Sequence, residues 1–345
     1  MPGPSFWQRL WAGLDARLAL RNFVYEVPPY ANTLPYLLGA ITLMGLVILV
    51  ATGILLGQFY IPDPAAANAS VRTIMTQGYG GAVARGIHVY AAHFTLVVLL
   101  LHLGRVYVTG AYRFPREANW IGGVALLATV LAFFFTGTVM RWDQGAIEAL
   151  EHNLAFAQLL GVFGGWFSPA FSTHVPLLAR LYMAHVSLLP LVLFILIVGH
   201  VYLVRQHGFS PHWSRPAATQ PPYTFAHHLR RAVGFGCIML GVALALAVVR
   251  SPGEGPAPVP GIEVTKPPWV FLPAYALETW FGVPSLLWGT AAAFAWLVAV
   301  PFLDRSTAPG WSGRRRALAV GAAALIVVIG LGVFAWVSHP VAHLH

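Results

Sequence analysis

Long apolar runs separated by short polar stretches dominate the chain. Seven of these runs are about 20 residues long, enough to cross the hydrocarbon core of a bilayer as a helix. They lie at approximately 34–60, 86–108, 120–140, 177–203, 232–250, 283–303 and 317–337. With 58% hydrophobic and 9% charged residues, the composition is far from that of a soluble protein. The pattern predicts an all-α integral membrane protein with seven transmembrane helices.

The spans fall into two blocks joined by a polar connection. Residues 33–204 hold four spans, and we expect them to form a four-helix bundle. Residues 205–231 form a connection containing Pro and His, and 232–345 hold three further spans with a long loop between the first two of them. Residues 1–32 include WQRLWAGLDARLAL, which is typical of an amphipathic helix at a membrane interface and lacks the features of a removed signal peptide.

Positive charge is unevenly distributed among the polar segments. Fourteen of the 20 Lys and Arg residues lie in the N-terminal segment and at 105–119, 204–231 and 304–316. The other six are Arg72, Arg85, Arg141, Arg180, Arg250 and Lys266. The positive-inside rule then predicts a prokaryotic cytoplasmic (inner) membrane protein with its N-terminus in the cytoplasm and its C-terminus outside. The net charge of +9 reflects this bias, and we expect no nucleic-acid partner because no dense basic stripe with interleaved aromatics occurs.

Four histidines form two pairs inside the second and fourth spans. His88 and His102 are 14 residues apart, and His185 and His200 are 15 apart. At about 100° and 1.5 Å per residue, each pair returns to within roughly 40–60° of one face, with its members roughly 21 Å apart along the axis. Imidazole nitrogen on both faces of a porphyrin is a common ligation of haem iron. Two such helices facing each other would offer two stacked haem sites. With the other two spans of the first block, they predict a four-helix di-haem bundle.

The other histidines and the single cysteine have plainer interpretations. We interpret His93, five residues after His88, as a packing or polar contact, although polar groups at this depth always suggest function. The histidines that we expect to be solvated are His152, His174, His207, His212, His227 and His228. A tail cluster suited to adventitious metal comprises His339, His343 and His345. Cys237 alone permits neither an internal disulfide nor a Cys-x-x-Cys-His motif, so the expected haems are non-covalent.

Glycines repeat at the same interval as the first histidine pair. Gly39 and Gly53 in the first span are 14 residues apart, as are Gly123 and Gly137 in the third. Because glycine lets a neighbour approach a membrane helix closely, these positions are interpreted as notches for the porphyrin edges. Plain helix–helix packing is the alternative interpretation.

Three arginines lie close to the histidines in the sequence: Arg85 before His88, Arg105 after His102 and Arg205 after His200. A guanidinium group binds a carboxylate through two parallel hydrogen bonds, so these residues are candidates to bind haem propionates. Arginines at span boundaries also extend to the lipid headgroups, which is the alternative interpretation.

Several longer segments match a known pattern. They are LHLGRVYVTGAYRFPREANWIGG, WDQ at 142–144, RLYMAH, HVYLVRQHGFS, PPWVFLPAYALE and VPFLDR. With them, residues 26–337 resemble the cytochrome b family of quinol–cytochrome c and plastoquinol–plastocyanin reductases. The four-span part is similar to the split, chloroplast-type form, and the three C-terminal spans are similar to its subunit four, fused on.

The resemblance implies cofactors and a substrate. It implies that His88 pairs with His185 in an outer haem b, and His102 with His200 in an inner one. It also implies quinone near the inner haem, where Arg205, Gln206 and His207 offer donors and Asp15 or Glu26 would assist proton uptake.

The chain departs from the family pattern at two positions. The family's external Pro-Glu-Trp-Tyr motif supplies a carboxylate for quinol oxidation, whereas 267–270 here read PPWV. A quinol needs a proton acceptor as it is oxidised, so Glu278, Glu148 and Glu151 are candidates to substitute. We expect this degenerate loop to remain near the outer haem without ordinary bifurcated quinol oxidation. Leu37 replaces the cysteine of the chloroplast-type form, so we expect no covalent third haem.

Three functions remain open at this point. The chain is interpreted first as a di-haem b subunit carrying electrons across the bilayer between quinone and a redox partner, such as a Rieske protein or cytochrome c. In the second hypothesis it serves a non-Rieske oxidoreductase, with an external dehydrogenase or reductase subunit as partner and quinone only at the inner site. The missing carboxylate favours this second hypothesis. A non-redox transporter or scaffold is the third.

Overall fold

The computed structural model describes residues 5–18, 26–77, 80–210, 221–259, 261–304 and 312–343, and nearly all of them are helical. The longer helices are α1 (Phe6–Leu18), α2 (Leu34–Gly57), α3 (Ala67–Thr76), α4 (Gly81–Thr109), α5 (Glu117–Val139), α6 (Gln144–Leu159), α7 (Leu177–His207), α8 (Phe225–Val249), α9 (Leu272–Phe281), α10 (Pro284–Leu303) and α11 (Arg315–Val337). Short 3₁₀ turns occur at Pro29–Asn32, Gly161–Phe167, Pro169–Phe171, Trp269–Phe271 and Ser312–Arg314.

Within the described residues, seven helices are long and apolar enough to cross a membrane: α2, α4, α5, α7, α8, α10 and α11. This confirms the predicted all-α fold with seven spans. The fifth span differs most from its predicted start, because it begins at Phe225 rather than at residue 232. The polar stretch that contains His227 and His228 is therefore the first turn of a helix and not part of the connection.

The bundle is built from two helix pairs. Helix α2 packs along α4, and α5 packs along α7. Helix α8 packs against both α2 and α4, α10 packs against α5, and α11 packs mainly against α9. Of the three C-terminal spans, α8 and α10 therefore lie against the first block and α11 lies mainly against the short helix α9.

The N-terminal segment is joined to the connection before the fifth span. Two short strands, β1 (Glu26–Val27) and β2 (Tyr223–Thr224), pair in antiparallel register. Upstream, α1 exposes a row of large apolar side chains, as expected for an interfacial helix: Phe6, Trp7, Leu10, Trp11 and Leu14.

A π-turn interrupts the fourth span where it carries a histidine. Helix α7 is α-helical over Leu177–Met183, forms a π-turn over Ala184–Leu188, and is α-helical again over Leu189–His207. A single π-turn inserts one residue into an α-helix. Pro190, just after the turn, lacks the N–H of an ordinary i to i−4 hydrogen bond. The 15-residue interval of α7 therefore becomes equivalent in phase to the 14-residue interval of α4.

Candidate functional site

The structure brings together the histidine pairs that the resemblance implies. His88 and His102 lie on α4, and His185 and His200 lie on α7. His185 lies within electrostatic range of His88, and His102 lies within range of His200. The two pairs occupy two levels of the bundle, separated by roughly 21 Å along α4.

Each of the four paired histidines packs on a glycine of a neighbouring helix. The ring atom nearest to an added glycine Cβ is Cε1 throughout, at 3.1 Å for Gly39 and His102, 3.4 Å for Gly53 and His88, 3.5 Å for Gly123 and His200, and 3.3 Å for Gly137 and His185. Helix α2 thus backs the rings of α4, and α5 backs those of α7. All four glycines of the repeat therefore adjoin the imidazole rings, and their interpretation as notches for porphyrin edges stays a prediction.

The outer pair is held by two threonine hydroxyl groups. Oγ1 of Thr52 lies 2.9 Å from Nδ1 of His88, and Oγ1 of Thr136 lies 2.7 Å from Nδ1 of His185. Each hydroxyl donates its own proton to a carbonyl one turn earlier in its helix, at 2.8 Å. The hydroxyl oxygens therefore accept from Nδ1–H, which leaves Nε2 of each ring with a lone pair for a metal.

These threonines were missed in the sequence, although a signal was present. Thr52 and Thr136 each directly precede one of the two glycines that back the outer pair, so the dipeptide Thr-Gly occurs at equivalent places in two spans. Neither inner glycine follows a threonine.

The inner pair has different ring partners. Nδ1 of His200 lies 3.1 Å from the carbonyl oxygen of Asn119 and therefore donates to it. Nδ1 of His102 is buried without a hydrogen-bond partner among the described residues. The tautomers of His88, His185 and His200 are therefore fixed, with Nε2 of each ring available for iron. The tautomer of His102 is not fixed by a hydrogen bond from the described residues.

Two of the candidate arginines, the buried Arg85 and the half-buried Arg105, have different surroundings. Arg85 is 8% exposed, and its Nη1 donates to the carbonyl of Pro252 at 2.7 Å, so it holds the loop after α8. Arg105 stacks over the ring of Tyr36 at 3.7 Å, and its Nη2 lies 3.4 Å from Oγ of Ser210. Nε of Arg105 is buried without a partner among the described residues, which makes it a donor for an anionic group at the inner site.

The candidate quinone residues lie at the C-terminal end of α7. Arg205 and Gln206 are exposed, and His207 is half-buried with its carbonyl accepting from Nη2 of Arg116 at 2.9 Å. The hydroxyl of Tyr30 donates to the carbonyl of Phe209, and that of Tyr36 to the carbonyl of Ser210. Glu26 is exposed in β1, and the side chain of Asp15 lies outside the described residues.

Two histidines expected to be solvated are not. His228 is 6% exposed, and its Nδ1 lies 3.1 Å from Oδ1 of Asn32 because the pairing of β1 with β2 brings the N-terminal segment over the start of α8. His152 contacts Glu263 and Glu278 at 3.2 and 3.3 Å. Burial alone would lower the pKa of His152, but the adjoining carboxylate of Glu278 and its negative charge raise it to about 9.

The two described histidines of the expected tail cluster differ in their surroundings. His343 turns inward, with Nδ1 3.2 Å from Oε1 of Glu263, whereas His339 is exposed. His345 lies outside the described residues. The carboxylate of Glu263 accounts for this difference, because it also accepts from the backbone N–H of His343 at 2.6 Å.

The degenerate loop remains in contact with the bundle. Nε1 of Trp269 donates to Nδ1 of His93 at 3.0 Å, which confirms that His93 makes a polar contact. Val270 packs against Leu96, Leu127 and Val130 of α4 and α5.

Glu148, one of the candidate bases, is occupied elsewhere. Its carboxylate accepts from the backbone N–H groups of Val264 and Thr265, both at 2.9 Å, from Nε2 of Gln144 at 2.9 Å, and from the hydroxyl of Thr265. Burial raises the pKa of Glu148, but these hydrogen bonds outweigh it and lower the pKa below the ordinary value. The residue therefore anchors the loop as a carboxylate.

A seven-span bundle with two facing histidine pairs defines a membrane cytochrome of the b type. The family model described as cytochrome b (N-terminal)/b6/petB matches residues 93–261. Cytochrome b6 of Heliobacterium mobile is 34% identical over 190 residues, covering 54% of this chain and 89% of the relative. The cytochrome b subunit of menaquinol:cytochrome c reductase from Bacillus subtilis is 32% identical over 197 residues, covering 54% and 88%. The chain belongs to the cytochrome b/b6 family, which confirms the resemblance.

A solved structure extends the comparison to the C-terminal spans. A chain of a "Hyperthermophilic respiratory Complex III" superposes with a TM-score of 0.77 at 23% identity, covering 95% of this chain and 91% of that chain. The fold is therefore shared over nearly the whole length. Family and fold together make the protein a multi-pass membrane haem subunit of the cytochrome b kind, as found in complexes with other redox subunits.

Proposed function

We propose that this chain is the di-haem b subunit of a quinone-linked oxidoreductase and carries electrons across a prokaryotic cytoplasmic membrane, with its N-terminus in the cytoplasm. The observation that carries the proposal is the arrangement of four imidazoles in two facing pairs, each ring backed by a glycine. A transporter or scaffold does not require glycine opposite every one of these rings.

The residues present fit two non-covalent haems. His88 and His185 would hold the outer haem, and His102 and His200 the inner one. When bound, haem supplies reversible one-electron transfer at its iron. The hydroxyl of Thr52 and its counterpart on α5 orient the outer imidazoles, so that Nε2 is presented without rotation of the ring.

Propionate binding differs between the two levels. The buried Nε of Arg105 supports a role for this residue at the inner haem. Arg85 contributes to the outer site mainly by holding the loop at Pro252, since two of its donors already contact backbone carbonyls there. Arg205, which is exposed, would act on the cytoplasmic side.

A quinone site on the cytoplasmic side completes the electron path. We place it beside Arg205, Gln206 and His207, where hydrogen-bond donors meet the end of α7 and the N-terminal segment. Donors at this depth would bind the two carbonyl oxygens of a quinone and supply protons on its reduction.

On the outer side, we favour exchange of electrons with a protein partner over ordinary quinol oxidation. The PPWV stretch carries no carboxylate, and both of its larger side chains are engaged, Trp269 with His93 and Val270 with an apolar cluster. Loss of a general base costs typically about 10²–10⁴ in rate. A dehydrogenase or reductase subunit fits this surface, and a Rieske protein with cytochrome c is the alternative partner.

Haem stoichiometry and partner identity test this proposal. The purified protein should show two b haems per chain by pyridine haemochromogen assay, and His200→Ala should remove one while leaving the outer haem in place. His174→Gln, an exposed position, is the control. Absence of haem absorbance would refute the function, and co-purification of a Rieske protein would refute the preferred partner class.

A further inference from the structure

Four ionisable side chains from four separate segments meet on the side of the bundle that carries the outer pair. His152 belongs to α6, Glu263 to the loop after α8, Glu278 to α9 and His343 to the C-terminal tail. Their side chains are only 18%, 7%, 2% and 5% exposed, respectively. None of them takes part in the proposed electron path.

The interatomic distances describe a compact donor set. Nε2 of His152 lies 3.2 Å from Oε1 of Glu263 and 3.3 Å from Oε1 of Glu278. Nδ1 of His343 lies 3.2 Å from Oε1 of Glu263 and 3.8 Å from Oε2 of Glu278. Ligands at about 2.0–2.2 Å from a tetrahedral Zn²⁺ lie about 3.3–3.6 Å from one another, close to the 3.2–3.8 Å between these nitrogens and oxygens.

Outer hydrogen bonds fix both imidazole rings. Nδ1 of His152 lies 2.8 Å from the carbonyl oxygen of Glu148, so it must carry the proton. The hydroxyl of Thr279 donates to the carbonyl of Tyr275 and therefore accepts from Nε2–H of His343 at 3.0 Å. Nδ1 of His343 donates to Oε1 of Glu263 at 3.2 Å when it carries a proton; with that proton and the one on Nε2 of His152 removed, both nitrogens would present lone pairs to a metal ion.

Both of these nitrogens face carboxylate oxygens, so each contact needs either a proton on the ring nitrogen or a metal ion bound between the groups. Nε2 of His152 and Oε1 of Glu278 are moreover buried without a hydrogen-bond partner among the described residues. Two carboxylates and two neutral imidazoles carry a charge of −2, which one divalent ion would neutralise. Outer partners that set the tautomer of each histidine are typical of metal sites.

We propose that His152, Glu263 and His343, together with the adjoining Glu278, bind one divalent transition-metal ion, with Zn²⁺ the best match to two imidazoles and two carboxylates. The ion joins the C-terminal tail to α6, α9 and the loop after α8. It is a structural metal ion that cross-links these segments on the outer face, separate from the haem ligands. The alternative is that both imidazole rings are protonated, in which case the cluster consists of ion pairs between two histidines and two glutamates.

Metal binding can be measured directly on the full-length protein with its haems bound, purified without a polyhistidine tag and treated with chelator. Zn²⁺ titrated against a chromophoric competitor should bind at one equivalent, counted separately from haem iron, with submicromolar affinity. X-ray absorption at the zinc edge should show four nitrogen or oxygen ligands at about 2.0–2.1 Å with imidazole scattering.

Three variants and one control decide the assignment. His343→Gln and Glu263→Gln should weaken zinc binding at least 100-fold, and Thr279→Val, which removes only an outer partner, about 10–100-fold. His339→Gln changes an exposed histidine of the same tail and should bind zinc like the unmodified protein. No stoichiometric binding, or equal affinity in His343→Gln and His339→Gln, would overturn the proposal and leave the protonated cluster. Should His343→Gln fail to accumulate, Thr279→Val gives the same decision.

Discussion

A methyl group added at position 39 would press on the ring of His102. The new Cβ would lie 3.1 Å from Cε1, whereas carbon atoms pack best at about 3.5–4.0 Å. The ring or the helix must therefore move by about 0.4 Å or more. Overpacking of this kind costs about 1–3 kcal/mol. If that cost falls on the haem-bound state, Gly39→Ala weakens inner haem binding by about 5–150-fold, at 1.4 kcal/mol per tenfold change.

The measurement is loss of haem to a competing acceptor. Purified protein is incubated with excess apomyoglobin, and the haem that remains is assigned to the inner or outer site by redox titration. Gly39→Ala should lose its inner haem faster than the unmodified protein and keep its outer haem. Gly123→Ala, whose Cβ would lie 3.5 Å from His200, should lose little from either site.

A second control separates crowding from the general effect of a methyl group. Gly199 adjoins His200 on α7, and no described heavy atom lies within 4 Å of a Cβ added there. Gly199→Ala should therefore retain both haems. Equal haem loss in Gly39→Ala and Gly199→Ala would show that the glycine does not seat the imidazole.

Two further predictions concern single side chains. Thr52→Val removes the acceptor of the His88 Nδ1 proton and should weaken outer haem binding about 10–100-fold in the same assay. The control Thr42→Val removes a hydroxyl that is hydrogen-bonded only within α2 and should not weaken it. Unchanged binding of the outer haem in Thr52→Val would contradict the role given to this hydroxyl. Arg314→Met removes the guanidinium partner of Asp304 at a site where the two side chains are 2% and 7% exposed, so it should reduce stability by about 3–5 kcal/mol, whereas the exposed Arg316→Met should not. Equal thermal inactivation temperatures of these two variants would refute this.

The spans and the histidine pairs were predictable because both depend on local periodicity. Apolar run length predicts a transmembrane helix, and the intervals between His88 and His102 and between His185 and His200 describe a helix face. Periodicity did not explain why the two intervals differ by one residue. A regular α-helix cannot place a 14-residue and a 15-residue pair in the same phase, and the π-turn before Pro190 resolves the difference.

Long-range contacts account for what the sequence left undecided. His152 and His228 look like loop residues when their neighbours in the sequence are considered, yet each is covered by a segment far away in the chain. The tail residue His343 is held by Glu263, 80 residues before it. No periodic pattern encodes such pairings, because they depend on which loops share one face of the bundle.

The long loop after α8 shows what these contacts do together. Its Pro and Gly content predicts an irregular connector, but polar side chains of the first block hold it along its length. Arg85 binds the carbonyl of Pro252, Arg72 pairs with Glu254 at 3.2 Å, Gln144 accepts from the N–H of Val259, and Glu148 binds residues 264–265.

A loop fixed in this way presents a constant outer surface. Rigid surfaces suit the docking of a preformed protein partner, since little conformational freedom is lost on binding. Oxidation of a quinol at this loop would additionally need a proton acceptor, and the carboxylate of Glu148 is committed to holding residues 264–265. The same contacts that order the loop therefore remove one of its candidate bases, which is a physical reason for preferring a docked redox partner on this side of the membrane.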